Sequence, residues 1–319
     1  MATSAKATSQ QLSALTWNIE GIKRNVFSLV EVLTSEKSSL VFLSEPQVYQ
    51  CVMANIVQYL DHDYCSSLNS EDIMDPELPL LKSKAKGGTM VLWRKWLDPH
   101  IKVIPVSTAS FLPIVLTLPG CQPSVHVAVY LPTHGQDTEF VSELASLRNC
   151  LDDLLTKYSN PCLYIRGDAN VNAKNTTRVK IMKSFRQHFN LTETIIEHKT
   201  YFHFVGGGKY DSNVDVILHS AGSKNLKIYT ENVTSIICQK NTPGINSHHD
   251  LILSSFSLPP GSPETSSADL VDAPRLPIQR NNIEWSEEGV IEYETIVGAQ
   301  LRRIRNTWLV PNCQASMSN

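Results

Sequence analysis

The 319-residue chain has no long apolar run. None approaches the roughly 18 residues that span a bilayer, and the polar stretch from Met1 to Gln11 lacks the apolar centre of a secretion signal. The expectation is a soluble, intracellular protein with no membrane partner. A cysteine framework is missing too: the seven cysteines are odd in number, scattered, and never spaced C-x-x-C. That excludes the usual disulfide scaffold and structural zinc pattern and suits a reducing compartment. The sequons at Asn175, Asn190 and Asn232 are then chance matches. Aromatic residues make up only 8% of the chain and charged residues 18%, while 42% is apolar, which excludes wholly disordered, collagenous and coiled-coil chains.

An excess of positive charge is lacking as well. The chain carries 28 Lys and Arg against 31 Asp and Glu, a net charge of −3. Nucleic acid is therefore not indicated by bulk charge, and local clusters decide. Two exist: Lys82, Lys84 and Lys86 before Gly87-Gly88, and Arg178, Lys180, Lys183 and Arg186 in a stretch with helical character. A solvated face is the default reading of either cluster alone.

What the chain does have is alternation. Leu12–Ile19 reads as a strand followed by a helix within Asn25–Ser35, and Leu40–Leu43 as a strand followed by a helix around Val48–Leu60. This pattern predicts an α/β protein. Thr89–Trp93, Ile101–Ser107, Pro113–Leu118 and Val125–Tyr130 follow without a helix between them, which predicts consecutive antiparallel strands in a mixed sheet. From Asp137 to Tyr158, Phe140, Leu144, Leu147, Leu151, Leu154 and Leu155 make a stripe on one helical face. Cys162–Ile165, Asn213–Leu218, Lys227–Tyr229 and Leu251–Phe256 read as further strands.

Composition changes after Phe256. Residues 258–282 form a Pro- and Ser-rich linker, with five prolines between Leu258 and Pro277, so residues 1–257 are expected to form the main domain. Within 283–319, Ser286 can cap an amphipathic helix with Val290, Tyr293, Val297, Leu301, Ile304 and Trp308 on one side.

Polar residues collect at the ends of the expected strands: Asn18, Glu45, Tyr130, Asp168 with Asn170, Asp215 and His249. Strand ends in α/β proteins are where side chains converge on a cleft. Each residue alone reads as a turn former or a satisfied structural group. Together they supply hard oxygen ligands, amide donors and an acid/base, a set suited to Mg²⁺-assisted attack of water on a phosphoester.

Six segments carry a resemblance: Trp17-Asn18-Ile19-Glu20-Gly21, Leu43-Ser44-Glu45-Pro46-Gln47, Val129-Tyr130-Leu131-Pro132, Gly167-Asp168-Ala169-Asn170, Ser212-Asn213-Val214-Asp215 and Ser247-His248-His249. In this order they resemble the endonuclease/exonuclease/phosphatase superfamily, and within it the apurinic-type endonuclease domain of LINE-type retrotransposon polyproteins. The resemblance implies a four-layer α/β/β/α sandwich of two mixed sheets flanked by helices. It implies a Mg²⁺-dependent endonuclease, with Mn²⁺ as a substitute, that nicks one DNA strand to leave a 3′-hydroxyl. It also implies a nuclear site of action and a reverse transcriptase region of the same polyprotein as partner, toward which the tail would lead.

By motif, the resemblance assigns Glu45 and Asn18 to the metal, and Asp168 to orienting or deprotonating water. Asn170 and Tyr130 would donate to the phosphate, and His249, held by Asp215, would stabilise its charge. Thr200 and Ser212, with Asn18, would touch substrate. A superfamily phosphatase acting on small or lipid phosphoesters, or a non-catalytic remnant, are the alternatives.

One position departs from the pattern. Where the family has Ser-Asp-His, this chain has Ser247-His248-His249. Two readings follow. Either His248 weakens the metal site and shifts preference toward Mn²⁺, or position 248 lies outside the metal's shell.

Overall fold

A computed structural model of the chain describes residues 11–57, 59–60, 63–72, 85–159, 161–196, 199–205, 208–220, 227–231 and 247–260. By contact the chain divides into two units, 1–266 and 267–319. The second unit, with the expected tail helix, lies outside the described residues, as do most of the linker and Lys82 and Lys84.

The described residues of the first unit form two six-stranded sheets. In chain order the strands are β1 (Gln11–Asn18), β2 (Leu40–Ser44), β3 (Tyr64–Asn69), β4 (Thr89–Arg94), β5 (Ile101–Val103), β6 (Phe111–Leu116), β7 (Ser124–Tyr130), β8 (Cys162–Asp168), β9 (Leu191–Glu193), β10 (Tyr201–Val205), β11 (Gly208–Ser212), β12 (Asp215–Ser220), β13 (Lys227–Glu231) and β14 (Leu251–Ser257). One sheet has the order β13-β14-β1-β2-β4-β3 and the other β5-β6-β7-β8-β12-β9, while β10 and β11 form a separate hairpin. Among the described strands only β1–β2 and β7–β8 are parallel, so both sheets are mixed. The helices are α1 (Ile22–Glu36), the short α2 (Met53–Val57), α3 (Asp137–Lys157) and α4 (Thr176–His188).

Period-2 alternation divides the apolar residues among three cores. In β1, Leu12 and Ala14 face inward, as do Leu40 and Phe42 of β2, Leu112 and Ile114 of β6, and Cys162 and Tyr164 of β8; these pack between the sheets. Leu15 and Trp17 face out with Val41 and Leu43 against Leu29, Val32 and Leu33 of α1. On the far side Val125, Val127, Leu163 and Ile165 meet the α3 stripe Phe140, Leu144, Leu147, Leu151 and Leu154, together with Met182 and Phe185 of α4. The result is the α/β/β/α sandwich that the resemblance implied. α3 carries Asp137 and Glu139 in its first turn and Lys157 in its last, charges that favour the helix dipole.

Several sequence expectations change. β4 does not pair with β5; the 3₁₀ turn Lys95–His100 carries the chain from one sheet to the other, and of the four strands expected in succession only β5, β6 and β7 are antiparallel neighbours. β5 stops at Val103, and Pro105, which has no N–H to offer a ladder, follows two residues later. The helix expected around Val48–Leu60 shrinks to the 3₁₀ turn Gln50–Val52 and α2. Leu258 is fully buried between the sheets, and Pro259 accepts from the Gln122 N–H at 2.9 Å, so the packed chain runs about three residues past the expected boundary.

The space between the sheets also holds a cation. Arg166 is fully buried, with its guanidinium 5.2–5.6 Å from the rings of Phe42, Tyr164 and Phe256 and its Nη1 donating to Ser254 Oγ at 2.6 Å. Burial lowers its pKa to about 10. It lies on the inner face of β8, two residues before Asp168.

Candidate active site

Inward-facing positions at the last residues of β1, β2, β7 and β8 are Asn18, Ser44, Tyr130 and Asp168. β12 runs antiparallel to β8, so Asp215 at its start pairs directly with Asp168. β14 runs antiparallel to β1, so His249, just before it, arrives at the end of β1. The topology alone therefore gathers these residues at one rim.

Their side chains form a continuous network. Asn18 Nδ2 donates to Asp168 Oδ2 at 2.9 Å and to Glu45 Oε2 at 3.4 Å. Gln47 Nε2 donates to Glu45 Oε1 at 2.8 Å. His249 Nδ1 lies 2.9 Å from Asp215 Oδ2, and its Nε2 lies 4.0 Å from Asp168 Oδ2. Asn170, in the left-handed region at φ 51°, donates its backbone N–H to Asp168 Oδ1 at 2.8 Å and its amide to the Leu131 carbonyl at 2.7 Å.

Backbone fit at this rim is tight. Ser44 Oγ donates to the Val129 carbonyl at 2.8 Å and accepts the Asp168 N–H at 3.2 Å, linking the two sheets. Gly167, at φ +132°, makes that approach possible: a Cβ there would overlap the Val129 carbonyl oxygen and lie 2.8 Å from Ser44 Oγ.

The electrostatics follow from burial and charge. Burial and the neighbouring Asp215 push Asp168 up to about 7, opposed by His249. Burial disfavours the imidazolium of His249, but the charge and hydrogen bond of Asp215, followed by Asp168 and Glu20, overcome it and raise the group to about 9. Burial, then Glu45 and Asp168, hold the Tyr130 hydroxyl far above its ordinary value, so it remains a proton donor at any working pH.

Carboxylates outnumber cations here, and some acceptors lack donors. Asp215 Oδ1 and Gln47 Oε1 are buried with no hydrogen-bond partner. Asp168, Asp215 and His249 present ligand atoms within 4.8 Å of one another. A surplus of hard oxygen donors fits a divalent metal ion; the buried Asp-Asp-His group could hold one only with its histidine neutral, a role that competes with the proton Asp215 keeps on His249.

The remaining expected residues fall nearby. Thr200 is buried with its Oγ1 unpartnered, and its carbonyl accepts the Asp250 N–H at 2.7 Å. Ser212 is buried at the end of β11, opposite Tyr201, whose backbone bridges to His249. His248 is not part of the buried cluster: its side chain is 45% exposed and its Nδ1 lies 3.0 Å from Glu20 Oε2. That geometry favours the reading in which position 248 lies outside the metal's shell.

Three contributors had no role in the sequence reading. Glu20 and Gln47 stood inside quoted motifs without an assignment. Arg178 was read as part of a surface cluster, yet it is 1% exposed. It donates to Asp137 Oδ1 at 2.7 Å and to the carbonyls of Pro132, Thr133 and Asn170 at 2.6, 2.7 and 3.1 Å. It therefore fastens Asn170 to the loop after β7. Arg186 of the same cluster pairs with Glu193, leaving Lys180 and Lys183 exposed.

With this geometry the chain has the endonuclease/exonuclease/phosphatase fold, and solved structures of that fold resemble it. The endonuclease domain of TRAS1, a telomere-specific non-LTR retrotransposon, matches at TM-score 0.54 and 14% identity over 77% of this chain and 98% of that one. The apurinic endonuclease LMAP from Leishmania major matches at TM-score 0.58 and 14% identity, over 78% and 88%. The 3′ phosphatase NExo from Neisseria, bound to a product DNA hairpin, matches at TM-score 0.51 and 14% identity, over 77% and 99%. By sequence, no protein-family model and no curated protein matches the chain. Among the described residues, no helix is long and apolar enough to cross a membrane.

Proposed function

We propose that the chain is a divalent-metal-dependent phosphodiesterase, and specifically an endonuclease that nicks one strand of DNA to leave a 3′-hydroxyl. The observation that carries this reading is the Asp168–His249–Asp215 arrangement at the rim, beside Asn18 and Glu45. DNA as substrate is supported by the endonucleases and the DNA-bound 3′ phosphatase that share the fold.

In this reading Glu45 would hold Mg²⁺ or Mn²⁺ with help from Asn18, whose amide donates to the Glu45 carboxylate and steadies it, and the ion would supply charge neutralisation at the phosphate. Asp168, its basicity raised by burial and by Asp215, orients a water and takes its proton as the water oxygen bonds to phosphorus and the P–O3′ bond breaks, the departing 3′-oxygen taking a proton from solvent to leave as the hydroxyl. His249 is an imidazolium whose Nδ1–H is fixed by Asp215, leaving its Nε2–H to stabilise negative charge developing on the phosphate. Tyr130 and Asn170 donate hydrogen bonds to phosphate oxygens, and Thr200 and Ser212 line the substrate's approach. Residues 1–257, extended to 260 by the packing of Leu258, form the catalytic unit. The segment beyond leads toward a reverse transcriptase region, and the work is done in the nucleus.

Incubating supercoiled plasmid with the protein and Mg²⁺, Mn²⁺ or EDTA tests the reading. Open circles that a polymerase extends without prior phosphatase treatment are expected with metal only. Hydrolysis of phosphorylated inositols with no nicking would replace DNA by a small phosphoester.

A further inference from the structure

The Ser247-His248-His249 segment is tied to the end of β1 by a set of contacts that centres on Glu20. The Glu20 carboxylate accepts the His248 backbone N–H at 2.8 Å, and His248 Nδ1 lies 3.0 and 3.2 Å from its two oxygens. Glu20 also works on its own strand: its N–H donates to Asn18 Oδ1 at 3.1 Å. That bond fixes which side of the Asn18 amide faces Asp168 and Glu45, because the oxygen is taken and the NH₂ must point at the carboxylates.

Glu20 achieves both contacts from φ 47°, a left-handed backbone that a non-glycine residue keeps only where its surroundings hold it. A second tie runs alongside, with Ser247 Oγ donating to the Asn18 carbonyl at 2.7 Å and accepting the His249 N–H at 3.1 Å. The rings of His203 and Tyr201 close the outer side of His248, at 5.0 and 6.4 Å between centroids.

We propose that Glu20 and His248 form a cross-strand clamp that positions Asn18 and His249 relative to Asp168, so that both are positioning residues rather than metal ligands. This deepens, and rests on, the nuclease reading. The clamp differs from a merely structural ion pair in what it should change. His248 is 45% exposed and Glu20 20% exposed, so the pair adds little to global stability. Its effect lies in the aim of two side chains buried behind it, where a small misplacement costs rate.

The test is a double-mutant cycle on the full chain, reading kcat, KM and the metal midpoint of plasmid nicking, with melting temperature as control. Glu20→Ala and His248→Ala should each lower kcat about tenfold, and the double variant should be no worse than either, as for two residues acting as one unit. KM should stay within about twofold of wild type, since neither residue touches substrate, and the metal midpoint should rise by no more than it does in Asn18→Ala, through which the clamp reaches Glu45. Glu20→Gln, which keeps an acceptor for the His248 N–H, should recover most of the rate. Wild-type kcat in both single variants, losses that multiply in the double, or a metal midpoint that rises further than in Asn18→Ala would each overturn the clamp.

A second readout needs no activity. In ¹⁵N-edited NMR of the folded protein, Glu20→Ala should shift the ring resonances of His249 further than Glu20→Gln, which removes the same charge but keeps the acceptor. Equal shifts in the two variants would refute the clamp even in an active enzyme. A wild-type chain that fails to nick while His249 responds would refute the nuclease reading alone.

Discussion

Replacing Asp215 with Asn removes one charge and almost no volume from the most buried part of the site. Asp215 is 4% exposed and its Oδ2 lies 2.9 Å from His249 Nδ1. Burial alone would press His249 below its ordinary 6.5, and Asp215 is the main reason it stands at about 9 instead. At pH 7.5 the wild-type imidazole is therefore almost wholly protonated. Without the carboxylate its pKa falls, and at a value of about 6.5 or lower only about a tenth of the molecules carry the charge. The amide also loses the charge-assisted hold on ring orientation, so the full loss should reach about a hundredfold, the usual scale for a displaced acid or charge-stabilising group.

The sign shows in the pH profile. Wild-type activity should rise as Asp168 deprotonates near pH 7 and fall as His249 loses its proton near pH 9. In Asp215→Asn the alkaline limb should move down by more than one pH unit, and acid conditions should restore part of the rate. Single-turnover nicking from pH 5.5 to 10 measures this directly. An alkaline limb that stays near 9 in the variant would refute the assignment of Asp215 as the group that keeps His249 charged.

Tyr130→Phe should lower kcat about tenfold without moving either limb, since its hydroxyl does not titrate in the working range. Kinetics across the same pH range test it, and a lost or displaced limb would contradict it. Gly167→Ala should destabilise the fold by about 3 kcal/mol or more, because the new methyl group overlaps the Val129 carbonyl at a φ of +132°; denaturant midpoints near wild type would be inconsistent with the described approach of β7 to β8. His248→Asp sets a carboxylate against Glu20 and should reduce nicking about tenfold in both Mg²⁺ and Mn²⁺. A selective gain in Mg²⁺ would instead place position 248 at the metal.

Much of this architecture is legible in the chain because strong periodicities survive folding. The α3 stripe from Phe140 to Leu154 is continuous in the sequence and packs as written. β1, β2, β7 and β8 are runs of apolar residues buried on both faces, and such runs stand out. β3 is hard to read because Tyr64–Asn69 is short and largely polar and, among the described strands, pairs only with β4; the β10–β11 hairpin is a local pairing of two short strands, and its aromatic first strand, Tyr201–Val205, is the signal that points to it. The expectation of one helix around Val48–Leu60 fails because Val48, Ile56 and Leu60 are buried in a stretch that is only partly helical, and a buried loop shows the same apolar positions.

At the site, strand-end position and chemical type pointed to Asn18, Glu45, Asp168, Asp215 and His249. The work of Glu20 and Arg178 was not legible, because each acts by reaching a backbone or side chain brought near only by the tertiary fold. A burying environment turned Arg178 from an apparent surface charge into the anchor of Asn170.

The central claim is that this rim hydrolyses a DNA phosphodiester with Asp168 as the group that takes the water's proton. Its most direct measurement is nicking of supercoiled plasmid by wild type and by Asp168→Asn, each checked for folding by melting temperature, in Mg²⁺ and in EDTA. Wild type should yield extendable open circles in Mg²⁺ and none in EDTA, and the equally folded variant should be slower by at least about two orders of magnitude. Nicking by wild type that persists in EDTA, or nicking by folded Asp168→Asn at near the wild-type rate, would contradict the account.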